Sequence, residues 1–296
     1  MRIDVFFDEY VEGVRNARTL STAETYKHRL NAVKKYLPVD EVEDITPKTV
    51  QMMVEGMRSH YAPKTIHASY DVLNAVMELA KDKGLIVRNP CKGVKLPEIT
   101  NHAPVLMSVE ALDQLCKLAS MHPDLYLPIL IATETGLRRS QILALLWQDV
   151  NFNDCTLRVS RNVISSKSHV YTSGKERKTR EIVISNDLLE TLTTTRIRRK
   201  NAGIPAGDGN QVCLTKLGKP MEARYFNNLF RKFVNENEGI GSNLRFHDIR
   251  WSFINNELAA GKNPKVVADK VGHSSAVFTL DYYYRYHDKL EQQKAA

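Results

Sequence analysis

Two segments of the sequence place arginine or lysine where a phosphate group could be bound and its leaving oxygen protonated. In TGLRRSQILALLWQDV, Arg138 and Arg139 stand at the predicted start of an apolar helix, where amide donors and the positive end of the helix dipole attract anions. In SGKERKTR, Lys175 and Lys178 lie on a predicted turn between two strands. A lysine in such a place can give a proton to a leaving oxygen.

Two further segments add a proton carrier and a nucleophile. HDIR spaces His247 and Arg250 three residues apart, so a helix would present an imidazole and a bidentate phosphate donor on one face. In GHSSAVFTLDYYYRYH, His273 follows a glycine, and Tyr282 stands nine residues later at the head of three consecutive tyrosines. Taken singly, each segment also fits a structural role, as a helix cap, a charged hairpin tip or a core plug.

The elements that would position these residues fall into two parts. The first hundred residues predict four or five helices, with Ser21 as a candidate cap of one and Thr46 followed by Pro47 at the start of the next. The stretch NPCKGVKLPEITNHAP has three prolines and no helical period, which is typical of a linker. The sequence therefore predicts a helical domain, a linker and a second domain, over residues 1–95, 96–106 and 107–296.

The second domain is predicted to be mainly helical with a small antiparallel sheet. SVEALDQLCKLAS and DLYLPILIATETG have the apolar content of helices, whereas CTLRVSRNVI and REIVIS alternate β-branched and polar residues as strands do. From NDLLETLTTTRIRRK onwards the pattern is helical again. The fold class is therefore mainly α, with an all-helical first domain and a largely helical second one.

Composition and net charge indicate which chemical classes of partner this chain could bind. The sequence holds 42 Lys and Arg against 34 Asp and Glu, a net charge of +8, which favours a polyanion such as nucleic acid or an anionic membrane surface. Residues 1–100 hold 15 Lys and Arg and 14 Asp and Glu, so most of the excess lies further on. No apolar run approaches the roughly 18–20 residues of a membrane span, and the N-terminus is not typical of a signal peptide. The four cysteines show no metal-ligand spacing, so we expect a cytoplasmic location and no cofactor.

The order of the motifs (arginine, lysine hairpin, His-x-x-Arg, Gly-His, tyrosine) strongly resembles that of the tyrosine recombinases, the phage integrase family of site-specific DNA recombinases. The resemblance covers nearly the whole chain, because the helical first part looks like the family's core-site DNA-binding domain. It implies the tyrosine recombinase catalytic fold and a recombinase that integrates or excises a phage or mobile element through a covalent 3′-phosphotyrosine.

The family motifs carry over residue by residue. They imply that the catalytic residues are Arg138, Lys175, His247, Arg250, His273 and Tyr282, with Lys178 as the fallback for the lysine. Tyr282 is selected by its spacing from His273, and successive helical residues point about 100° apart, so Tyr283 and Tyr284 are left as packing or interface groups. One position departs from the family, since Gln141 stands where many members carry a glutamate or aspartate.

The resemblance also implies roles for these groups. Arg138 and Arg250 would stabilise charge on the non-bridging phosphate oxygens, and His273 would add a hydrogen bond. His247 would accept the phenolic proton of Tyr282, since a phenol has an ordinary pKa near 10.

Lys175 would protonate the leaving 5′ hydroxyl in the reaction that the resemblance implies. The partners would be double-stranded DNA attachment sites, three further protomers in a homo-tetramer on DNA, and accessory DNA-bending proteins. No metal or nucleotide is required, and no membrane partner is expected. Basic residues outside the catalytic set are candidate DNA contacts: His28, Arg29, Lys34, Lys64, Arg139, Lys178 and Arg180.

Three alternatives stay open on the sequence alone. A type IB topoisomerase uses a similar pocket and would relax supercoiled DNA without a sequence requirement. A DNA-binding relative that has lost catalysis would form no covalent complex with DNA. Within the recombinases, a Xer-type chromosome-dimer resolvase fits as well as an integrase.

Overall fold

The computed structural model describes residues 1–100, 103–163, 171–173, 179–241 and 243–284, and the chain divides into two compact units, Met1–His102 and Ala103–Ala296. The boundary falls inside the linker predicted over residues 96–106. Each unit buries a large apolar cluster of its own. Among the described helices, none has the length and apolar content that a membrane crossing needs.

Helices form the described part of the first unit: α1 (Ile3–Ala17), α2 (Leu20–Tyr36), a 3-10 turn (Val42–Asp44), α3 (Pro47–Arg58) and α4 (Pro63–Asp82). Their buried residues recur every three or four positions, as Val50, Met53, Val54 and Met57 do in α3, and the resulting stripes meet in one core. Burying one such side chain contributes about 1.5–3 kcal/mol.

Side-chain caps mark the starts of α2 and α3. Thr46 and Thr49 form a reciprocal capping box with Pro47 at the first helical position, as predicted. The prediction that Ser21 caps α2 is wrong, because the cap is Thr19, whose hydroxyl accepts from the Thr22 backbone N–H at 3.3 Å. Only Arg18 and Thr19 separate α1 from α2, so the extended backbone of the short connection already supplies the cap.

The segment that follows α4 returns across the first unit. The Asn89 amide donates to groups of α4, and Gln51 exchanges two hydrogen bonds with the backbone of Lys95, at 2.9 and 3.2 Å. The His67 ring is bonded to the Pro97 carbonyl at 2.8 Å. Residues 89–97 are therefore held against the first unit, although their sequence is rich in proline and lacks a helical period.

The second unit is mainly helical, as predicted. Its described helices are α5 (Val109–Ala119), α6 (Tyr126–Thr135), α7 (Arg139–Ile142), α8 (Asn186–Asn201), α9 (Ala223–Glu236), α10 (Phe246–Ala259) and α11 (Pro264–Val271). A terminal helix follows, whose described part covers residues 276–284. The strongly apolar α6 packs against both α5 and α10, so it forms the centre of the unit.

A small antiparallel sheet covers part of this core, which confirms the predicted fold class. Its order is β1 (Val150–Asn151), β2 (Thr156–Val159) and β5 (Arg180–Val183), with Leu157 of β2 opposite Ile182 of β5. A separate hairpin pairs β3 (Arg161–Val163) with β4 (Tyr171–Ser173). The single strand predicted over CTLRVSRNVI is thus divided between two sheets at Ser160.

The apolar helix predicted after Arg138 is only four residues long. The chain leaves helical geometry after Ile142 because residues 145–148 bond to a distant segment instead. The Val212 N–H donates to the Leu145 carbonyl at 2.9 Å, and the Trp147 N–H to the Asn210 carbonyl at 3.0 Å. Nonlocal backbone pairing has replaced the helical pattern that the leucines predicted.

Candidate active site

Two glycine turns shape the candidate site. Gly136 ends α6 with φ of 62° and Gly272 ends α11 with φ of 73°, a left-handed conformation that side chains disfavour. A Cβ at Gly136 would collide with the Phe253 ring, and a Cβ at Gly272 would lie 2.6 Å from Arg180 Nη1. The glycines therefore allow both the reversed backbone and the close approach of neighbouring side chains.

Arg250 lies between these two turns and is 2% exposed. Its Nη1 donates to the Gly136 carbonyl at 2.7 Å and to the Val271 carbonyl at 2.9 Å. Its Nη2 is buried and has no hydrogen-bond partner among the described residues. Burial first, and Arg138 second, lower the pKa of Arg250 to about 8. A buried cationic donor without an acceptor is costly, and an anion beside it would remove that cost.

The start of α10 is fixed by a second arginine, so that His247 and Arg250 fall in its first turns. The Asp248 carboxylate accepts from the Arg245 backbone N–H at 3.0 Å and from the Arg245 guanidinium at 2.9 Å. Asp248 is 1% exposed, and these bonds hold it in an N-terminal capping arrangement. The carboxylate inside the His-x-x-Arg motif is thus paired with Arg245.

Arg138 occupies the N-cap of α7, and its side chain reaches the turn at Gly272. Its two terminal nitrogens each lie 3.3 Å from the Gly272 carbonyl. The buried Gln141 side chain accepts from the Arg138 backbone N–H at 3.2 Å, which holds this residue at the helix start. The two predicted catalytic arginines thus meet at the backbone that leads into His273.

Both histidines are held in an electropositive environment. Burial first and Arg250 second lower the pKa of the half-buried His273 to about 3. The same two causes lower the pKa of His247 to about 4, although this residue is exposed in part. Both imidazoles are therefore neutral near pH 7 and can accept a proton. The His273 Nδ1 lies 2.7 Å from the hydroxyl of Thr279, which is 0% exposed, so the orientation of this ring is fixed from the terminal helix.

Tyr282 lies on the terminal helix against the same cluster. Its ring stacks on the Trp251 indole, with ring centroids 3.3 Å apart and planes 11° apart. Trp251 also contacts His247 and His273, at centroid distances of 5.6 and 5.9 Å. The indole therefore joins the predicted nucleophile to both predicted histidines.

The neighbouring tyrosines have other surroundings. Tyr284 is 67% exposed, and its ring makes an edge contact with that of Tyr283 at 5.6 Å. Of the three tyrosines, Tyr282 is the one whose ring stacks on Trp251 in the structure. The helical register predicted for this run agrees with that division.

The other predicted site residues are distributed differently. Lys175 and Lys178 lie outside the described residues. Arg139 donates to the Asn227 side chain on α9 and is half-buried. Arg180 is also half-buried, and it donates to backbone carbonyls inside the candidate site. The candidates of the first unit lie on α2 and α4: His28, Arg29, Lys34 and Lys64.

Two contact residues were missed at the level of sequence, and both carry a recognisable signal. Trp251 lies four residues after His247 on α10, which places the two on one helix face. Thr279 lies three residues before Tyr282 on the terminal helix, again on the same face. Reading each motif outward by one helical turn would have found them.

Comparisons with known proteins bear on the family. The profile of the Phage integrase family matches residues 107–289, and that of the Phage integrase SAM-like domain matches residues 4–96. Tyrosine recombinase XerC of Proteus mirabilis is 23% identical over 95% of this chain and 89% of its own length. A XerC-like tyrosine recombinase of Caldanaerobacter subterraneus is 28% identical, and this chain spans only 62% of its length. The Tn916 transposase of Enterococcus faecalis is 24% identical over 87% of this chain and 67% of its own length.

Solved structures show the same fold. The Tn1549 transposon integrase, in complex with a circular intermediate DNA, superposes with a TM-score of 0.82 at 19% identity, over 96% of this chain and 95% of that one. A lambda integrase dimer bound to a core site gives a TM-score of 0.70 at 18% identity, over 94% and 97%. Because the family profile matches well over half of its residues, this chain belongs to the Phage integrase family of tyrosine recombinases.

Proposed function

We propose that this recombinase cleaves DNA at a specific site through a covalent 3′-phosphotyrosine on Tyr282 and rejoins it to a new partner. The observation that carries the proposal is the buried Nη2 of Arg250, a cationic donor without a described acceptor, in a pocket shared with Arg138, His273 and His247. An entering phosphodiester would supply the missing acceptor. It would also offset the repulsion between the arginines.

The arginines would act on the transition state. Attack on a phosphodiester adds negative charge to its non-bridging oxygens, and Arg138 and Arg250 would stabilise that charge from positions already fixed by backbone carbonyls. His273 would add a hydrogen bond through its Nε2, since its Nδ1 is engaged with Thr279. Each well-placed donor of this kind is worth about 10²–10³ in rate.

Proton transfers would follow the charges of the pocket. His247 is neutral near pH 7, because its pKa is lowered to about 4, and it would take the phenolic proton of Tyr282. The incoming phosphate is anionic, so it would raise the pKa of His247 and make it a better base once substrate is bound. Lys175 would protonate the 5′ oxygen as it leaves.

Rejoining would use the same groups in reverse. A 5′ hydroxyl from another strand attacks the phosphotyrosine, the phosphorus–tyrosine bond breaks, and the phenol recovers its proton. We assign the first unit to core-site DNA binding, with His28, Arg29 and Lys64 among the contacts. Action as a tetramer on two DNA sites, with accessory bending proteins, and integration or excision of a mobile element complete the proposal.

A suicide substrate tests the cleavage step. Duplex DNA taken from the sequence flanking the gene, nicked beside the scissile position, should trap a covalent complex with wild-type protein that survives denaturation. A label on the 3′-phosphate side should stay with the protein, while a label on the 5′-hydroxyl side should not. Trapping of the 5′-hydroxyl side, or of neither side, would contradict the proposal, and relaxation of supercoils without any site requirement would indicate a topoisomerase.

The biological role has its own test. DNA flanking the gene should contain repeats that bracket a mobile element, and excision should produce a circular junction detectable by amplification. A single site near the replication terminus, with no bracketing repeats, would favour a Xer-type resolvase.

A further inference from the structure

Arg180 is the third arginine of the candidate site, and it is half-buried, with its described hydrogen bonds made to other segments of the second unit. It stands at the start of β5, and its guanidinium points towards the end of α11. Its Nε donates to the Lys270 carbonyl at 2.9 Å, and its Nη2 to the Val271 carbonyl at 3.1 Å. These are two of the backbone acceptors that the last turn of a helix leaves without helical partners.

Three arginines share the end of α11. Arg180 bonds the carbonyls of Lys270 and Val271, Arg250 also bonds that of Val271, and Arg138 lies against that of Gly272. The C-terminal end of a helix carries partial negative charge, which attracts cations. The carbonyls of residues 270–272 are therefore the acceptors around which the cations of the pocket are arranged.

Gln141 ties Arg180 to the other side of the pocket. Its Oε1 lies 3.4 Å from Arg180 Nη2 and accepts the Arg138 backbone N–H at 3.2 Å. Gln141 is 5% exposed, so these contacts are made out of water. Arg180 thus connects β5 to the two segments that carry Arg138 and His273.

Packing leaves the Arg180 guanidinium little freedom to turn towards DNA. A Cβ at Gly272 would lie only 2.6 Å from its Nη1, so the guanidinium is pressed against the turn that precedes His273. Burial, with Arg138 second, lowers the pKa of Arg180 to about 10, which still leaves it charged near pH 7. The charge is directed at backbone carbonyls.

We propose that Arg180 is a positioning residue and not a phosphate contact: it holds the turn at residues 270–272 so that His273 and Arg138 face the scissile phosphate. The inference rests on the proposed DNA cleavage, and it replaces the DNA contact that the sequence predicted for Arg180. Loss of the two hydrogen bonds from the Arg180 guanidinium would let the turn at residues 270–272 shift. A displacement of about 1 Å at a reacting group can cost about 10²-fold in rate.

Substitution of Arg180 tests the positioning role through two measured quantities, the rate of covalent-complex formation and the salt dependence of DNA affinity. Arg180→Ala and Arg180→Lys are compared with wild type on the nicked suicide duplex, with Arg158→Ala as the control, since Arg158 is an exposed arginine on the neighbouring β2. Both Arg180 variants should slow formation of the covalent complex by about 10²-fold. Lysine should not restore the rate, because it lacks the planar fork that bonds two carbonyls.

DNA affinity separates positioning from phosphate contact. Both Arg180 variants should keep the wild-type slope of log Kd against log salt, whereas losing one phosphate contact would reduce that slope by about 0.9. In a His273→Ala background, Arg180→Ala should slow cleavage less than it does alone, because the part of its effect that passes through His273 is already lost.

The outcomes are distinct. A wild-type rate for Arg180→Ala, a rate restored by lysine, a reduced salt slope, or fully additive losses with His273→Ala would each overturn the positioning role while leaving the cleavage reaction intact. Absence of a covalent complex with the wild-type protein would instead contradict the proposed function.

Discussion

The two units of the chain bury different chemistry. In the described part of the first unit the buried side chains are almost all apolar, with Ser69 and Asn89 as the polar exceptions. The second unit has an apolar core as well, but it also buries Arg250, Gln141 and Asp248. The first unit is organised by apolar packing, whereas the second also holds one buried arginine and two half-buried ones in fixed positions.

The buried cations have an energetic cost that the surrounding backbone reduces. Burial first and Arg138 second lower the pKa values of both Arg180 and Arg250, yet the guanidiniums of all three arginines lie against carbonyls at the end of α11 or α6. Partial charges on the backbone offset part of the repulsion, and an incoming phosphate would offset more.

The largest effect that would sharpen this comparison is expected at Arg250. Arg250→Lys keeps a positive charge but loses the bidentate geometry, so the covalent complex should form about 10²–10³-fold more slowly. Single-turnover trapping on the suicide duplex measures the rate. Arg198→Lys, at an exposed position of α8, is the matched control and should cleave normally. A rate for Arg250→Lys within a few-fold of wild type would remove Arg250 from the proposed chemistry.

The first unit should respond to substitution through stability. Leu73 is 0% exposed in its core, so Leu73→Ala should cost about 2–5 kcal/mol of unfolding free energy. Both tryptophans, Trp147 and Trp251, lie in the second unit, so their fluorescence follows that unit while far-ultraviolet circular dichroism follows both. In Leu73→Ala the unfolding transition followed by circular dichroism should shift, whereas the transition followed by tryptophan fluorescence should not. Met52→Ala, at an exposed position of α3, should change little, and an equal shift of both probes would show that the units do not unfold independently.

Lowering the pH should reduce the free energy of unfolding of the second unit, because two of its histidines have lowered pKa values. The pKa values of His247 and His273 are lowered in the folded state from 6.5 to about 4 and about 3, so between pH 6.5 and 4 the unfolded chain binds protons that the folded chain does not. Stability is fully present above pH 6.5 and falls as the pH drops below it. Urea unfolding followed by tryptophan fluorescence at pH 7, 6 and 5 measures this loss. A double variant, His247→Gln with His273→Gln, should lose less, and equal losses would contradict the shifted pKa values.

The smallest effect is expected on the surface of the first unit. Lys64 is exposed on α4, so Lys64→Ala should reduce the slope of log Kd against log salt by about 0.9, without changing the cleavage rate of bound DNA. Lys48→Ala removes an equal charge from an exposed position of α3 and should leave the slope unchanged. Equal effects of the two substitutions would show that Lys64 acts only through net charge.

The sequence predicted most of what is local in this site. Spacing of three placed His247 and Arg250 on one helix, and helical geometry required that the three tyrosines point in different directions, because both depend on backbone periodicity alone. The choice of Tyr282 among the three came from the family spacing to His273. The motif order could also bring distant segments together through family resemblance. Composition and apolar pattern were enough for a mainly helical fold with a small sheet.

Contacts between segments distant in the sequence could not be predicted from local patterns. The four-residue length of α7 depends in part on the hydrogen bond that the Val212 N–H donates to the Leu145 carbonyl, and nothing near Leu145 indicates that partner. Arg180 is a candidate DNA contact by sequence, and no pattern near it indicates that carbonyls at the end of α11 accept its hydrogen bonds. Such choices are decided by which acceptors the fold leaves open.

The identity of the DNA-linked tyrosine is the most direct test of the central claim. After trapping on the suicide duplex, nuclease trimming and trypsin digestion, cleavage at Lys270 and Arg285 should yield one peptide, VGHSSAVFTLDYYYR, that holds Tyr282, Tyr283 and Tyr284. Fragmentation by tandem mass spectrometry should place the nucleotide mass on Tyr282. Its appearance on Tyr283 or Tyr284, or on the following peptide with Tyr286, would contradict the site built around Trp251 and the three arginines.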